Sequence, residues 1–573
     1  MMLPRRSFYH TLNAFLLLFT CQSCVVSGAI PVTPPQTPPS NNVTVVYPNF
    51  LGISLELSFI NYYFGNNSNE VPLPFINYLS SIKSPDRPVR LRLGGNSMDS
   101  STYVPTQQEI TQFTNPNANS NDQPVNYGPA LFDVMNKVSD SVGGAEYLIG
   151  LSLREPNNSN IPLLAGDAQK ALGDRLDAFL LGNEPDLYTR HGQRPYMANY
   201  SVNDYIGDYW VVFNNLGHTP QGDVLSADKI AGPTICCAWD LEPVLTSGWL
   251  DQFNNRLKYI TLQHYPQDNC GPTHKFQLDY YLAHANAVSL AQWQQPGLQL
   301  LASTPADSRK PLLMDEFSSA SCGGIPGISD TFGAALWTVD YSLQMASVGY
   351  SGAYLHTRER GVTYNLFDPP AGPAGSAGEW TTNPTFYAYL PIAEALHSPN
   401  GSRVVDLNVD GSMQNKGSSV AGYAVYDANT NDIHRVVLFN FANGTGQPVD
   451  FSLPSSIFPA SSNSVPVHYL TAAHANENRE ISWNSLTYNG VGDGLAVNAT
   501  FSSAWANQTL DCTQGCSVQV PGPGVAVVLV GGQLNTVGAS TISPGKTSDA
   551  LRGHHIVVWG LFLQAAVLLC LYL

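Results

Sequence analysis

The sequence predicts an α/β fold, a (β/α)8 TIM barrel followed by an all-β sandwich domain. Three observations carry that expectation. Between residues 50 and 358, short apolar runs alternate with longer segments of helical character. Beyond about residue 390 the runs crowd together and no long helical pattern separates them. The chain also has 573 residues, more than the ~250–300 that a single core holds, so two domains are expected.

The barrel runs are 50–56, 89–95, 147–153, 178–184, 229–235, 259–264, 311–318 and 352–358. They are rich in Val, Ile, Leu or Tyr and lack strict alternation, as strands covered on both faces do. Helical candidates at 127–142, 165–177, 278–294 and 331–348 separate several of them. Eight such units match a (β/α)8 barrel. An open doubly wound sheet competes, although no Gly-x-Gly-x-x-Gly element follows a first strand, which counts against a dinucleotide-binding version. The later runs, 403–409, 420–426, 435–441, 449–453, 465–470 and 525–530, are separated by Gly, Asn, Ser and Pro clusters and read as a β-sandwich. Residues 43–47 are expected to add a strand to it.

The two ends read as addresses. Arg5 and Arg6, an apolar stretch around residues 14–19, and Ser27-Gly28-Ala29 form the pattern of a secretory signal over residues 1–29. Residues 30–42 are proline-rich and expected to be an extended linker. The catalytic barrel is then assigned to 43–390 and the sandwich to 391–535. Residues 536–573 hold a small, polar spacer and a terminal apolar tail, the pattern of a glycolipid (GPI) anchor signal. Ser548, followed by Asp549 and Ala550, competes with Gly545 as attachment site, and a tail-anchored transmembrane helix is the alternative. Either arrangement puts the body outside the cell, at the cell surface.

Composition agrees with that compartment. Asn-x-Ser/Thr sequons at Asn42, Asn66, Asn157, Asn199, Asn400, Asn443, Asn498 and Asn507 imply N-glycans. Cys236, Cys237, Cys270, Cys322, Cys512 and Cys516 remain once the end segments are set aside, an even set suited to disulfides, with Cys512 and Cys516 near enough for a local bridge. Their spacing is not that of a zinc site, and no metal or organic cofactor is implied. The net charge of -17 and the lack of a Lys/Arg block argue against a nucleic-acid partner.

In such a barrel, polar residues at the carboxyl ends of the strands build the active site. The fourth run ends Leu181-Gly182-Asn183-Glu184-Pro185, putting a carboxylate where substrate would lie. Pro185 is expected to hold Glu184 in an extended conformation, and Asn183 offers a hydrogen bond to a sugar hydroxyl. The seventh run ends Met314-Asp315-Glu316-Phe317. Side chains alternate along a strand, so only one of Asp315 and Glu316 is expected to point inward, and Glu316 lies further toward the strand end. Two carboxylates from nearly opposite strands, ~5 Å apart, suit a retaining glycosidase in which one attacks the anomeric carbon and the other protonates the leaving oxygen.

Leu181-Gly182-Asn183-Glu184-Pro185 with a seventh-strand glutamate resembles the retaining barrel glycosidases of glycoside hydrolase clan A. Gly52-Ile53-Ser54-Leu55-Glu56, Arg92-Leu93-Gly94-Gly95-Asn96-Ser97 and the terminal sandwich narrow the resemblance to family 79, the β-glucuronidases and heparanases, over about residues 43–532. The resemblance implies Glu184 as acid/base and Glu316 as nucleophile. It further implies Tyr265 as the residue orienting that nucleophile, Glu56 as a binder of sugar hydroxyls, and Gly323, Gly324 and Tyr364 as the group holding a sugar carboxylate. The family has a tyrosine at the start of that glycine loop where this chain has Ser321 and Cys322. Neutral donors suit an exo-β-glucuronidase acting on glucuronic-acid-bearing glycans. An endo-acting, heparanase-like enzyme would want a Lys/Arg-lined cleft, and only Arg358 and Arg360 lie near the eighth strand's end. The alternatives are another clan A hydrolase or transglycosylase and a non-catalytic anchored glycan-binding protein.

Overall fold

A computed structural model describes residues 28–194, 197–443 and 448–532. Residues 1–27 and 533–573 lie outside that range, and with them nearly all of the expected signal peptide and the whole expected anchor signal.

Eight parallel strands close into a barrel: β1 (Leu51–Glu56), β2 (Val89–Gly94), β3 (Ala145–Leu151), β4 (Leu176–Leu181), β5 (Ile230–Ile235), β6 (Leu257–His264), β7 (Leu312–Phe317) and β8 (Tyr350–Thr357). Each pairs with the next in sequence, and β8 returns to β1, so no edge remains open. Around them run α1 (Leu73–Ile82), α2 (Ala130–Val142), α3 (Asn160–Leu172), α4 (Val202–Leu216), α5 (His284–Ala291), α6 (Gln295–Ser303) and α7 (Phe332–Val348). α7 is buried along almost its whole length because the sandwich packs over its outer side. The lumen is filled by Leu148, Ala178, Leu180, Ala231, Tyr259, Leu313 and Tyr354. Gly52 is required beside Tyr354, since a Cβ there would sit 2.5 Å from its ring. Below this layer an ion pair of Arg90 with Glu146 (3.1 Å) and another of Lys258 with Asp177 close the amino-terminal end, so the barrel opens only at its carboxyl end.

The sandwich explains the apolar runs beyond residue 390. One sheet is ordered β9 (Ser402–Asp406), β10 (Val420–Asp427), β11 (Ile433–Asn440), β15 (Gly524–Val528), β13 (Val465–Thr471), with short strands continuing past β13. Alternate residues serve two cores. Tyr423, Val425, Val437, Phe439, Val525 and Val527 face the barrel. Ala424, Tyr426, Val436, Leu438, Ala526 and Val528 face a second sheet built on β12 (Val449–Leu453) and β14 (Cys516–Val520). A strand buried on both faces has no polar side to show in its sequence.

Five points differ from the sequence expectations. The 30–42 segment, expected as an extended linker, is docked on the sandwich: Ile30 and Pro31 pair with Phe451 and Ser452, Val32 is buried, and the Tyr426 hydroxyl donates to the Pro35 carbonyl (2.7 Å). Residues 43–47 form a single antiparallel bridge, Val46 to Ser402, rather than a strand. The expected 278–294 helix breaks at Leu282 and Ala283 into Leu278–Tyr281 and α5. Helix α3 starts and ends earlier than expected, stopped by Gly173 at φ +56°, and β14 was not foreseen because its exposed Ser517 and Gln519 dilute the apolar signal. Among the described residues no helix is long and apolar enough to cross a membrane, and no group of three His, Cys, Asp or Glu is placed to hold a metal ion.

Candidate active site

At the open end of the barrel the strand termini converge on one buried guanidinium. Arg92, in the otherwise apolar β2, sends Nη1 to Ser54 Oγ of β1 (2.9 Å) and to Glu316 Oε2 of β7. Its Nη2 donates to Asn183 Oδ1 (2.8 Å), next to Glu184, and its Nε lies 3.5 Å from Asp315 Oδ2. Gln263 of β6 donates to Asn183 Oδ1 (3.0 Å) and Asp315 Oδ2 (3.3 Å). One fully buried cation thus ties three strands and the segment after β4, and desolvation strengthens each of these contacts.

Glu316 is held at both oxygens. The Tyr265 hydroxyl donates to Oε1 (2.7 Å), while Arg92 reaches Oε2 and His356 Nδ1 stands 3.8 Å from it. Burial by itself would raise the Glu316 pKa. The His356 imidazole, the Arg92 charge and the two hydrogen bonds outweigh it, so the carboxyl is held below its ordinary value. Its neighbour behaves in the opposite way: burial pushes Asp315 up to about 7 despite Arg92. Both acids reach Arg92, contrary to the expected alternation, because pairing with β6 and with β8 shifts register around Asp315. Such a bulge re-aims side chains at an active site.

Glu184 follows β4 but is not extended. Its φ of +46° and ψ of +54° are left-handed, and the expectation drawn from Pro185 fails there. A short turn, Pro185–Leu187, begins at once. The Asp186 carboxylate accepts the backbone N–H groups of Cys236 (3.0 Å), Cys237 (2.8 Å) and Ala238 (2.7 Å), pinning that turn to the end of β5. Burial, then the charges of Glu316 and Asp186, raise the Glu184 pKa well above its ordinary value, with Arg92 opposing. One carboxyl favours the ionised form and its counterpart the protonated form, the division that acid/base and nucleophilic roles require.

Residues 422–527 match the model of the glycosyl hydrolase family 79 C-terminal beta domain. A β-glucuronidase of Aspergillus niger is 28% identical over 78% of this chain and 83% of its own length. A β-glucuronidase of Neurospora crassa is 24% identical over 82% and 89%. The crystal structure of a 4-O-α-L-rhamnosyl-β-D-glucuronidase from Fusarium oxysporum superposes with a TM-score of 0.68 at 20% identity, covering 87% of this chain and all of that one. The family 51 arabinofuranosidase of Xanthomonas axonopodis shares the fold at a TM-score of 0.54 and 13% identity, covering 87% of this chain and 98% of its own. This chain is a glycoside hydrolase whose carboxyl-terminal domain is that of family 79.

In this hydrolase the remaining expected residues gather at the same mouth. Glu56 accepts the Ser97 N–H (2.8 Å) and hydroxyl on Oε1, and His356 Nε2 stands 3.2 Å from Oε2. Gly95 makes that approach possible, since a Cβ there would lie 2.3 Å from Glu56 Oε2. Asn183 spends one amide N–H on Asn96 Oδ1 (2.9 Å) and keeps a second. Tyr364 packs near His356 and Tyr265, ring centroids 5.9 and 6.5 Å away. Cys322, Gly323 and Gly324 are three consecutive residues at positive φ. The Gly323 carbonyl accepts Thr363 N–H (3.0 Å) and Oγ1 (2.8 Å), and among the described residues neither the Gly323 nor the Gly324 N–H has a protein acceptor. Sequence reasoning did not single out Arg92, Gln263, His356 or Asp186. The available signal was a polar residue inside a strand otherwise suited to full burial, as in Leu91-Arg92-Leu93 and Leu355-His356-Thr357.

Proposed function

We propose that this hydrolase is a retaining exo-β-glucuronidase that removes terminal β-linked glucuronic acid from glycans. The observation that carries the reading is the opposite shift of two acids beside one buried arginine: Glu316 toward ionised, Glu184 toward protonated. Glu316 attacks the anomeric carbon while Glu184 gives its proton to the leaving oxygen, and a glycosyl–enzyme ester forms. Glu184, now ionised, takes a proton from water as that water attacks the same carbon and releases Glu316. Tyr265 and Arg92 hold Glu316 for attack and stabilise it again as it departs.

The paired N–H groups of Gly323 and Gly324 support recognition of a uronate, since free amides in a turn form an anion site. The names of the two fungal relatives agree. Support for the exo mode comes from the segment after β2. Its Asn121 accepts from Arg358, at the end of β8, and the Tyr63 hydroxyl also binds the Arg358 backbone carbonyl, so the rim is walled over β1. Arg358 is itself taken up by Glu359 (2.7 Å), which leaves little of a basic cleft for a sulfated chain.

Secretion, N-glycosylation and a carboxyl-terminal lipid anchor complete the proposal. Disulfides Cys236–Cys237, Cys270–Cys322 and Cys512–Cys516 suit an oxidising compartment, and every sequon asparagine except Asn42 is exposed. The deciding experiment is turnover of p-nitrophenyl β-glucuronide, β-glucoside and β-xyloside, with proton NMR of the first sugar anomer released. Preferred cleavage of the glucuronide with the β anomer first supports the reading. The α anomer first, or no preference for the uronide, overturns it.

A further inference from the structure

We infer that the disulfide Cys270–Cys322 is a specificity device: it straps together the loops after β6 and β7 and holds the Gly323–Gly324 amides in register for a substrate carboxylate. The inference rests on the functional reading above and adds a positioning role that the reading does not require.

The loops that follow β6 and β7 are zipped over a short stretch. Asp268 bridges to Ser321 in parallel, Ser321 N–H donates to the Gln267 carbonyl (3.0 Å), and Asn269 N–H donates to the Ser321 carbonyl (3.1 Å). Asn269 Nδ2 then reaches the Gly324 carbonyl (2.7 Å), and its Oδ1 pairs with His274 Nε2 (2.7 Å). The disulfide closes this zipper covalently at the residue immediately before Gly323.

That position matters because of the backbone. Cys322, at φ +55°, is not a glycine, and Gly323 and Gly324 follow at +91° and +74°. Glycines in such a run have many alternative conformations, so two amides aimed at one anion need outside restraint. Thr363 supplies it from the β8 side through the Gly323 carbonyl, and Asn269 with the disulfide supplies it from the β6 side. Glu316 is held separately, by Tyr265 and Arg92. Loosening the strap therefore disturbs carboxylate binding before it disturbs the chemistry.

The test compares the full-length wild type with Cys270→Ser/Cys322→Ser, using p-nitrophenyl β-glucuronide and β-glucoside, with thermal unfolding to verify the fold. The expected result is a rise in glucuronide KM of about tenfold, a smaller change in kcat, and a glucoside rate within about twofold of wild type. A folded variant whose losses are equal on both substrates, or whose glucuronide KM is unchanged, overturns the inference. Should the variant fail to fold, Asn269→Ala provides the same comparison and the same two outcomes. A wild type that shows no preference for the glucuronide sinks the functional reading, and this inference with it, before any variant is made.

Discussion

The backbone N–H of Glu184 donates to the carbonyl of Thr234 (3.2 Å), and both residues, neither of them glycine, sit at positive φ, +46° and +54°. Each left-handed residue costs about 1–3 kcal/mol and persists only where its surroundings over-determine it. Here those surroundings are visible. Thr234 Oγ1 donates to the Gly182 carbonyl (2.9 Å), its N–H donates to Thr261 Oγ1 (3.2 Å), and Asp186 accepts three N–H groups across the same gap. The ends of β4 and β5 hold each other in strained shapes, and the product is a glutamate fixed at the barrel mouth.

The two glutamates should separate by substrate. Glu316→Gln is expected to abolish turnover of every β-glucuronide. Glu184→Gln should slow alkyl glucuronides by ~10²–10⁴-fold while sparing dinitrophenyl glucuronide far more, because a good leaving group needs no proton. Steady-state kcat on both substrate types checks this, and equal losses would reverse the role assignment.

Tyr265→Phe should move the acidic limb of the pH–rate profile upward. The hydroxyl bonds the ionised form of Glu316, so its removal disfavours that form and raises a pKa now held low. A lost hydrogen bond to a charged group should also reduce kcat/KM by about 10- to 100-fold. Profiles of kcat/KM against pH read both effects.

Asp186→Asn should act on the opposite limb. Its charge helps to raise the Glu184 pKa, so neutralising it lowers that pKa and brings the alkaline limb to lower pH. The amide cannot accept three backbone N–H groups as the carboxylate does, so kcat should fall as well.

His284 joins barrel to sandwich. Its Nδ1 meets Asp340 of α7 (2.8 Å), its Nε2 meets Asp406 of β9 (2.9 Å), and the Tyr423 hydroxyl of β10 donates to Asp340 (2.6 Å). Burial opposes the charged imidazole, but the two carboxylates outweigh it and lift the pKa from 6.5 to about 10. A folded-state pKa above the unfolded one contributes stability that is fully present below about pH 6.5 and is lost as pH rises through about 10. His284→Gln leaves two buried carboxylates unpaired and should destabilise by about 3–5 kcal/mol near neutrality. Calorimetry across that range should find the difference from wild type shrinking as pH rises.

Glycopeptide mapping of the protein expressed through a eukaryotic secretory pathway should find Asn42 the least occupied sequon. Its Nδ2 is committed to the Val404 carbonyl (2.5 Å) in a part-buried site, whereas Asn157 and Asn199 are exposed.

Much of this molecule is legible in the chain as written. Eight apolar runs with intervening helical segments specify a covered parallel sheet, because a strand covered on both faces must be apolar throughout and a parallel neighbour requires a crossover, and their number matches a closed barrel. An acid at the end of such a run belongs at the open end, and the structure places Glu184 and Glu316 there. The tertiary structure decided what no spacing encodes. It bent Glu184 into a left-handed turn, bulged β7 so that Asp315 and Glu316 share Arg92, and brought Tyr265, His356 and Arg92 around one carboxylate. Local patterns report on burial and backbone preference, which are properties of short segments. Electrostatic partnership depends on which strands close beside one another, and that is settled only when the barrel shuts.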